Sequence, residues 1–154
     1  MDINLLQDVL MSALNQYHLN KIVRYKNIGF SSKDIGEIQD VAQTLKKLLP
    51  SYSYWEDPEV THAPSAINTR HNFINSILSV PTEGLIIKQP EQWLNAWSLL
   101  DKQAFWSDLG MWHGAKKVIV IFAASNEFQI INNAYFKPQL LDGVPIKLWL
   151  PARA

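Results

Sequence analysis

Residues 84–125 read GLIIKQPEQWLNAWSLLDKQAFWSDLGMWHGAKKVIVIFAAS, and this stretch decides the fold. It opens with Gly84-Leu85-Ile86-Ile87, a short apolar run bounded by Thr82-Glu83 and by Pro90, which is the pattern of a buried strand. Near its far end, Val118-Ile119-Val120-Ile121-Phe122 is apolar at every position. A strand in the centre of a parallel sheet needs that composition, because helices cover both of its faces. Residues 91–113 between them hold one or two helices, with Trp93 and Trp97 four apart on one face, Asp101 as the cap between them, and Gly110 and Gly114 as stopping points. Two buried strands joined through helix make a βαβ crossover and place the pair in a parallel sheet.

The flanking chain extends this alternation. Ile3, Leu6, Leu10 and Leu14 recur at helical spacing and predict an N-terminal amphipathic helix. Residues 21–30, KIVRYKNIGF, read as extended although Arg24, Lys26 and Asn27 interrupt them. The cleanest helix follows, with Ile35, Ile38, Val41, Leu45 and Leu48 on one face, Asp34 and Glu37 in capping-box spacing, and Pro50 as its stop. Tyr52 to Trp55 reads as a short strand, and Pro64 opens a helix whose apolar face is Ile67, Phe73, Ile74, Ile77 and Leu78. Beyond the central stretch, Asn126 and Gln129 cap a helix carrying Phe128, Ile131 and Tyr135, and Val144–Leu150 is the last strand after the turn signal Asp142-Gly143. The expected fold is a single three-layer α/β/α domain over residues 1–154, with a mostly parallel sheet of four to five strands.

Composition narrows the function. Hydrophobic residues are 47% and charged residues 18%, enough for a core and too apolar for a disordered chain. Lysine plus arginine equals aspartate plus glutamate, 14 each, so a bulk electrostatic grip on nucleic acid or on an anionic membrane is not expected. The absence of cysteine excludes thiolate catalysis, disulfide frameworks and Cys-ligated zinc. The start, Met1-Asp2-Ile3-Asn4, has no basic leader, and no apolar run reaches the roughly 18 residues of a membrane span. A soluble cytoplasmic protein is expected.

Catalytic motifs are sparse. There is no G-x-S-x-G elbow and no H-E-x-x-H, and His18, His62, His71 and His113 are scattered, reading as surface or helix-terminal residues. Glu56, Asp57 and Glu59 follow the Tyr52–Trp55 strand, where an open α/β sheet places catalytic or metal-binding carboxylates. The simpler reading is a solvated acidic loop, although Lys88 after Ile87 supplies a partner for a loose Glu56/Asp57/Lys88 constellation. Arg70, His71 and Asn72, after His62, Ser65 and Thr69, form a polar group suited either to an anion or to an exposed first helical turn.

Gly84 to Ser125 resembles the second half of a RecA-like P-loop ATPase core. An apolar strand runs into Gln89-Pro90-Glu91, a helix follows, and a sensor-type strand ends in Ala123-Ala124-Ser125; GVPIKLWL at 143–150 takes the place of that fold's final strand. In such ATPases the first of these strands ends in Asp or Asp-Glu, which positions magnesium and polarises water. Lys88 and Gln89 stand there in this chain, and Glu91 is the acidic group that remains. A phosphate loop needs G-x-x-x-x-G-K-[ST] so that backbone N–H groups wrap the phosphates. The nearest stretch is Gly29-Phe30-Ser31-Ser32-Lys33-Asp34. Its position and lysine fit, its glycine pattern does not, and Asp34 would repel a phosphate at a helix N-terminus. Ser31, Ser32 and Asp34 also read simply as helix caps. The resemblance implies a core that kept its sheet and lost its phosphate loop, with no cofactor or metal.

Tryptophan is the remaining anomaly, at 55, 93, 97, 106, 112 and 149. Four of these rings fall in the central helical stretch alongside Leu94, Leu99, Leu100, Phe105, Leu109 and Met111, more apolar groups than one buried stripe absorbs. Exposed aromatic and Met side chains with few charges are the composition of interface cores. The expected function is therefore that of a non-catalytic, protein-binding accessory, regulatory, inhibitor or immunity-type subunit of a larger bacterial-type assembly. Its contact residues would be Trp93, Trp97, Trp106, Met111 and Trp112; a homo-oligomer stays open. The competing reading is a phosphate- or nucleotide-binding enzyme, a degenerate NTPase or metal-dependent nuclease, holding phosphate through Ser31, Ser32, Lys33 and Arg70 with a carboxylate from Glu56, Asp57 or Glu91. Stacking on single-stranded nucleic acid fits poorly, since Lys102 is the one basic residue in 89–115.

Overall fold

The computed structural model describes residues 2–56, 70–95, 97–111, 116–123, 137–140 and 146–150. Their elements run α1 (Ile3–Ala13), a π-helical turn (Leu14–His18), β1 (Ile28–Ser32), α2 (Ile35–Leu48), β2 (Ser53–Trp55), α3 (Arg70–Leu78), β3 (Gly84–Lys88), α4 (Glu91–Leu94), α5 (Leu99–Met111), β4 (Lys117–Ala123), β5 (Lys137–Leu140) and β6 (Lys147–Leu150). Six strands among the described residues form one sheet in the order β2-β3-β4-β1-β6-β5. The block β2-β3-β4-β1 is parallel, whereas β6 runs antiparallel to β1 and β5 antiparallel to β6. The expected α/β class and mostly parallel sheet are present. The sheet gains a strand at 137–140, where Pro138 suits an edge because it has no N–H to donate.

Strand alternation divides the core. Leu85, Ile87, Val118, Val120, Phe122 and Trp149 join one buried cluster with Phe73, Ile77, Leu94, Phe105, Trp106 and Leu109 from α3, α4 and α5. Ile86, Ile119, Ile121, Ile28, Phe30, Leu148 and Leu150 join the other, with Leu6, Leu10 and Ala13 of α1, Leu14 of the π-helical turn, and Ile38, Val41 and Leu45 of α2. β4 contributes to both clusters, which is why its sequence is apolar throughout.

Several expectations are corrected. The extended stretch at 21–30 becomes strand only from Ile28, after a loop fixed by its own polar groups. Ile3 and Ile35, read as core-facing, are 46% and 70% exposed, each the first residue of its helix. Trp97 lies between α4 and α5, so it shares no helical face with Trp93. Asp101 sits within α5, and its N–H bonds the Ser98 hydroxyl at 3.2 Å, which makes Ser98 the capping residue.

The larger correction concerns the expected interface. Trp97 and Trp106 are 7% and 0% exposed. Trp106 meets Phe105, Phe122 and Trp149 with ring centroids 4.9, 5.1 and 5.2 Å away, and Trp97 packs edge-on against Phe105 at 6.0 Å. Trp149 in turn lies over Gly29, where any Cβ would overlap its ring. Trp97 and Trp106 are thus absorbed by a ring cluster reaching from α5 through β4 to β6. Trp93 and Met111 lie in α4 and α5, but their side chains are outside the described set. Trp112, the helix expected from Asn126, the Asp142-Gly143 turn and the Pro64 helix start fall outside the described residues.

Trp106→Ala should cost about 3–5 kcal/mol of stability through lost burial and an unfilled cavity. Urea unfolding followed by circular dichroism measures this loss. A near-native midpoint would show that the ring cluster adapts to the missing side chain.

Candidate functional site

Polar side chains gather at both ends of the parallel strands, with different character. At the amino end they lace the fold together. The Asn27 side chain donates to Leu109 O at 2.9 Å and accepts from the Val118 N–H at 2.8 Å, joining the start of β1 to α5 and β4. The Lys116 ammonium donates to Val80 O and Thr82 O at 2.8 and 2.6 Å. His18, expected at the surface or at a helix terminus, ends the π-helical turn and is fully buried. Its Nδ1 donates to Lys26 O at 2.6 Å, and its Nε2 accepts from the Tyr52 hydroxyl at 2.8 Å. The carbonyl can only accept, which fixes this tautomer for the neutral ring. Burial, with smaller repulsion from Lys117 and Lys26 and against the Lys26 carbonyl bond, lowers the His18 pKa from 6.5 to about 4. Burial and then Glu83 push the Tyr52 pKa up to about 12.

The carboxyl end carries a partly buried ion pair and several carboxylates, and open α/β sheets bind ligands at this end. Lys88, the last residue of β3, has a side chain only 9% exposed and pairs with Glu56 beyond β2 at 2.7 Å. Its ammonium also donates to Gln39 Oε1 of α2. The next residue, Gln89, has φ 52° without being glycine, a strained conformation held partly by its N–H bond to Ile121 O at 2.6 Å. This turn delivers Glu91 to β4, where its Oε1 accepts from the Ala123 N–H at 3.1 Å. On β1, the Ser32 hydroxyl donates to Glu37 Oε2 at 2.5 Å and accepts from the Asp34 N–H at 3.1 Å. Asp34 Oδ1 accepts from the Gly36 N–H at 2.7 Å. The Asp34/Glu37 spacing therefore does not close a reciprocal capping box, because the Ser32 hydroxyl stands between the Asp34 N–H and the Glu37 carboxylate.

The structure joins Glu56 to Lys88, as the loose constellation anticipated. It does not assemble the other candidates into a phosphate cradle. β1 ends at Ser32 and α2 begins at Ile35, so only Lys33 and Asp34 connect them. Lys33 is exposed, Ser31 and Ser32 are buried, and Ser31 Oγ has no hydrogen-bond partner. Arg70 begins α3 with its side chain outside the described set, and Asp57 and Glu59 lie outside the described residues. Among the described residues, no group of three or more His, Cys, Asp or Glu side chains is arranged for a metal ion. No described helix is long and apolar enough to cross a membrane.

The burial of His18 and Asn27 is not legible from local sequence. Each sits among polar neighbours, and only tertiary pairing reveals its burial. Gln39 could have been paired with Lys88 only once α2 was known to lie across β3 and β4.

The buried His18 sets an acid limit. Between pH 6.5 and about 4 the unfolded chain binds a proton that the folded ring refuses. Its contribution is complete above pH 6.5 and is lost as pH falls toward 4, by up to about 3 kcal/mol. Chemical denaturation from pH 7 to 4.5 measures the slope, and His18→Gln should flatten it. At the opposite end, Glu56→Ala leaves Lys88 without its carboxylate and should cost about 1–3 kcal/mol, read from the shift in urea midpoint. Compared with known proteins, the chain matches no family model, no curated protein and no solved structure.

Proposed function

We propose that this chain is a non-catalytic protein-binding subunit built on a three-layer α/β/α core of RecA-like P-loop type that has lost its phosphate loop. The observation that carries the reading is the join between β1 and α2. A phosphate loop wraps its ligand with a run of backbone N–H groups and leaves the helix N-terminus open to the anion. Here two residues span the join, and the Asp34 carboxylate accepts from Gly36 N–H where a phosphate would sit. Lys88 and Gln89 occupy the end of β3, and Lys88 is engaged by Glu56 and Gln39. The parallel β2-β3-β4-β1 block supports the kinship at the level of strand order.

A binding role is supported by apolar side chains left outside both cores. Leu99 and Leu100, at the start of α5, are 60% and 78% exposed, and Ile22 is 91% exposed. The proposed surface thus keeps Trp93, Met111 and Trp112, gives up the buried Trp97 and Trp106 rings, and adds exposed aliphatic side chains such as Leu99 and Leu100. The assembly would be intracellular and regulatory, inhibitory or immunity-type in character.

The competing enzyme reading rests on the Glu56–Lys88 pair and on Glu91 at the carboxyl ends of the strands. A thermal-shift experiment separates the two, since a ligand that binds only the folded state raises its apparent stability. Millimolar ATP or GTP with magnesium should leave Tm unchanged. A rise of several degrees, abolished by Lys33→Ala or Glu91→Gln, would replace the proposal with a nucleotide-binding one. In the native host, the tagged chain should elute with a stoichiometric second protein.

A further inference from the structure

The loop at 20–26 is held in place by its own polar atoms. Asn20 Oδ1 accepts from the Ile22 N–H at 2.9 Å, and Asn20 O accepts from the Val23 N–H at 3.3 Å. The Lys26 ammonium reaches back to Asn20 O and Val23 O, both at 2.7 Å. His18 anchors the base through Lys26 O at 2.6 Å. Five hydrogen bonds thus order a short turn that buries almost nothing at its tip.

At that tip stands Ile22, 91% exposed and the most exposed of the large apolar side chains described; Leu19 at the base is 37% exposed. A single exposed aliphatic group is ordinary on a protein surface. An ordered loop that presents one between cations is a more specific arrangement. Lys21 and Arg24 are both exposed, and the Arg24 guanidinium lies 5.0 Å from the Tyr25 ring centre. No Asp or Glu occurs between Asp8 and Asp34, so a chain of zero net charge is locally basic here.

We propose that this loop is a recognition element that inserts Ile22 into an apolar pocket of a partner protein whose rim is acidic and meets Lys21 and Arg24. The inference rests on the binding role above and names where and how the partner is held. A preformed knob loses little conformational entropy on docking, which favours a matching pocket. A bilayer surface would call for several inserting groups, usually with aromatics among them. Nucleic acid would call for more free cations, and Lys26 is already engaged by the loop's own carbonyls.

The test uses the full chain and the partner that co-purifies with it from the native host. A photoreactive residue at position 22 should cross-link to that partner. Ile22→Asp, a change at a solvent-exposed site, should leave Tm unchanged and weaken the purified complex by about 10- to 100-fold. Lys21→Glu/Arg24→Glu should weaken it at low salt, with the difference shrinking as salt rises. Unchanged affinity in Ile22→Asp would overturn this inference while leaving the binding role intact. If no protein co-purifies, both fall. Ile22-dependent flotation with vesicles of phosphatidylserine and phosphatidylcholine, or Ile22-dependent retention of duplex DNA, would also overturn it by identifying a different class of partner.

Discussion

The constraint on which the structure depends is the burial of Val118–Phe122 on both sides. A strand with no solvated face needs a neighbour at each edge and a covering layer above and below. β3 and β1 supply the edges, with Ile119 paired to Ile86 on one side and to Ile28 on the other. Helices from two separate parts of the chain supply the covers. α2 joins β4 in one buried cluster, and α5 joins it in the other. Once these are placed, the carboxyl ends of β1, β3 and β4 lie together, and so do the side chains that follow them.

Most of those side chains find their partners within the chain. In a ligand-binding α/β protein, the carboxyl ends usually offer polar groups to something outside the chain. Here Lys88 meets Glu56 and Gln39, Ser32 meets Glu37, Glu91 meets the end of β4, and Asp34 meets the first turn of α2. Attraction between these groups offsets the cost of drawing Lys88 out of water. It also holds the connecting segments in one arrangement, including the strained Gln89 turn. The outcome is an ordered rim in which Lys88 faces Glu56, while Glu37, Asp34 and Glu91 are held by hydroxyl and backbone N–H groups.

Legibility in the sequence followed the degree to which local and tertiary preferences agree. β3, β4 and α2 were readable because propensity, periodicity and capping signals all point one way. The helical spacing from Trp93 to Trp97 fails because α4 stops at Leu94, and Ser98-Leu99-Leu100-Asp101 has the spacing of a new helix start. Trp106 was misread for a different reason. Its burial depends on Trp149 and Phe122, which lie far along the chain, and no local pattern records that meeting. At the candidate site, the acidic residues and Lys88 were visible as types. The closing of the Glu56–Lys88 pair was not, because pairing across strands is decided by sheet order.

The contact between Gly29 and Trp149 has a kinetic consequence. β6 is the neighbour of β1, yet these two strands are separated by most of the chain. The aromatic cluster around Trp106 therefore cannot close during synthesis until residue 149 has emerged. Before that, Phe122 and Trp106 lack one wall of their cluster, and the outer edge of β1 is open to pairing. A topology of such long-range contacts folds slowly, because the entropy of loop closure is lost before the contact forms. The nascent chain would have to be kept from edge-to-edge association during this interval, so its yield in a cell should depend on synthesis rate and chaperone supply as well as on final stability.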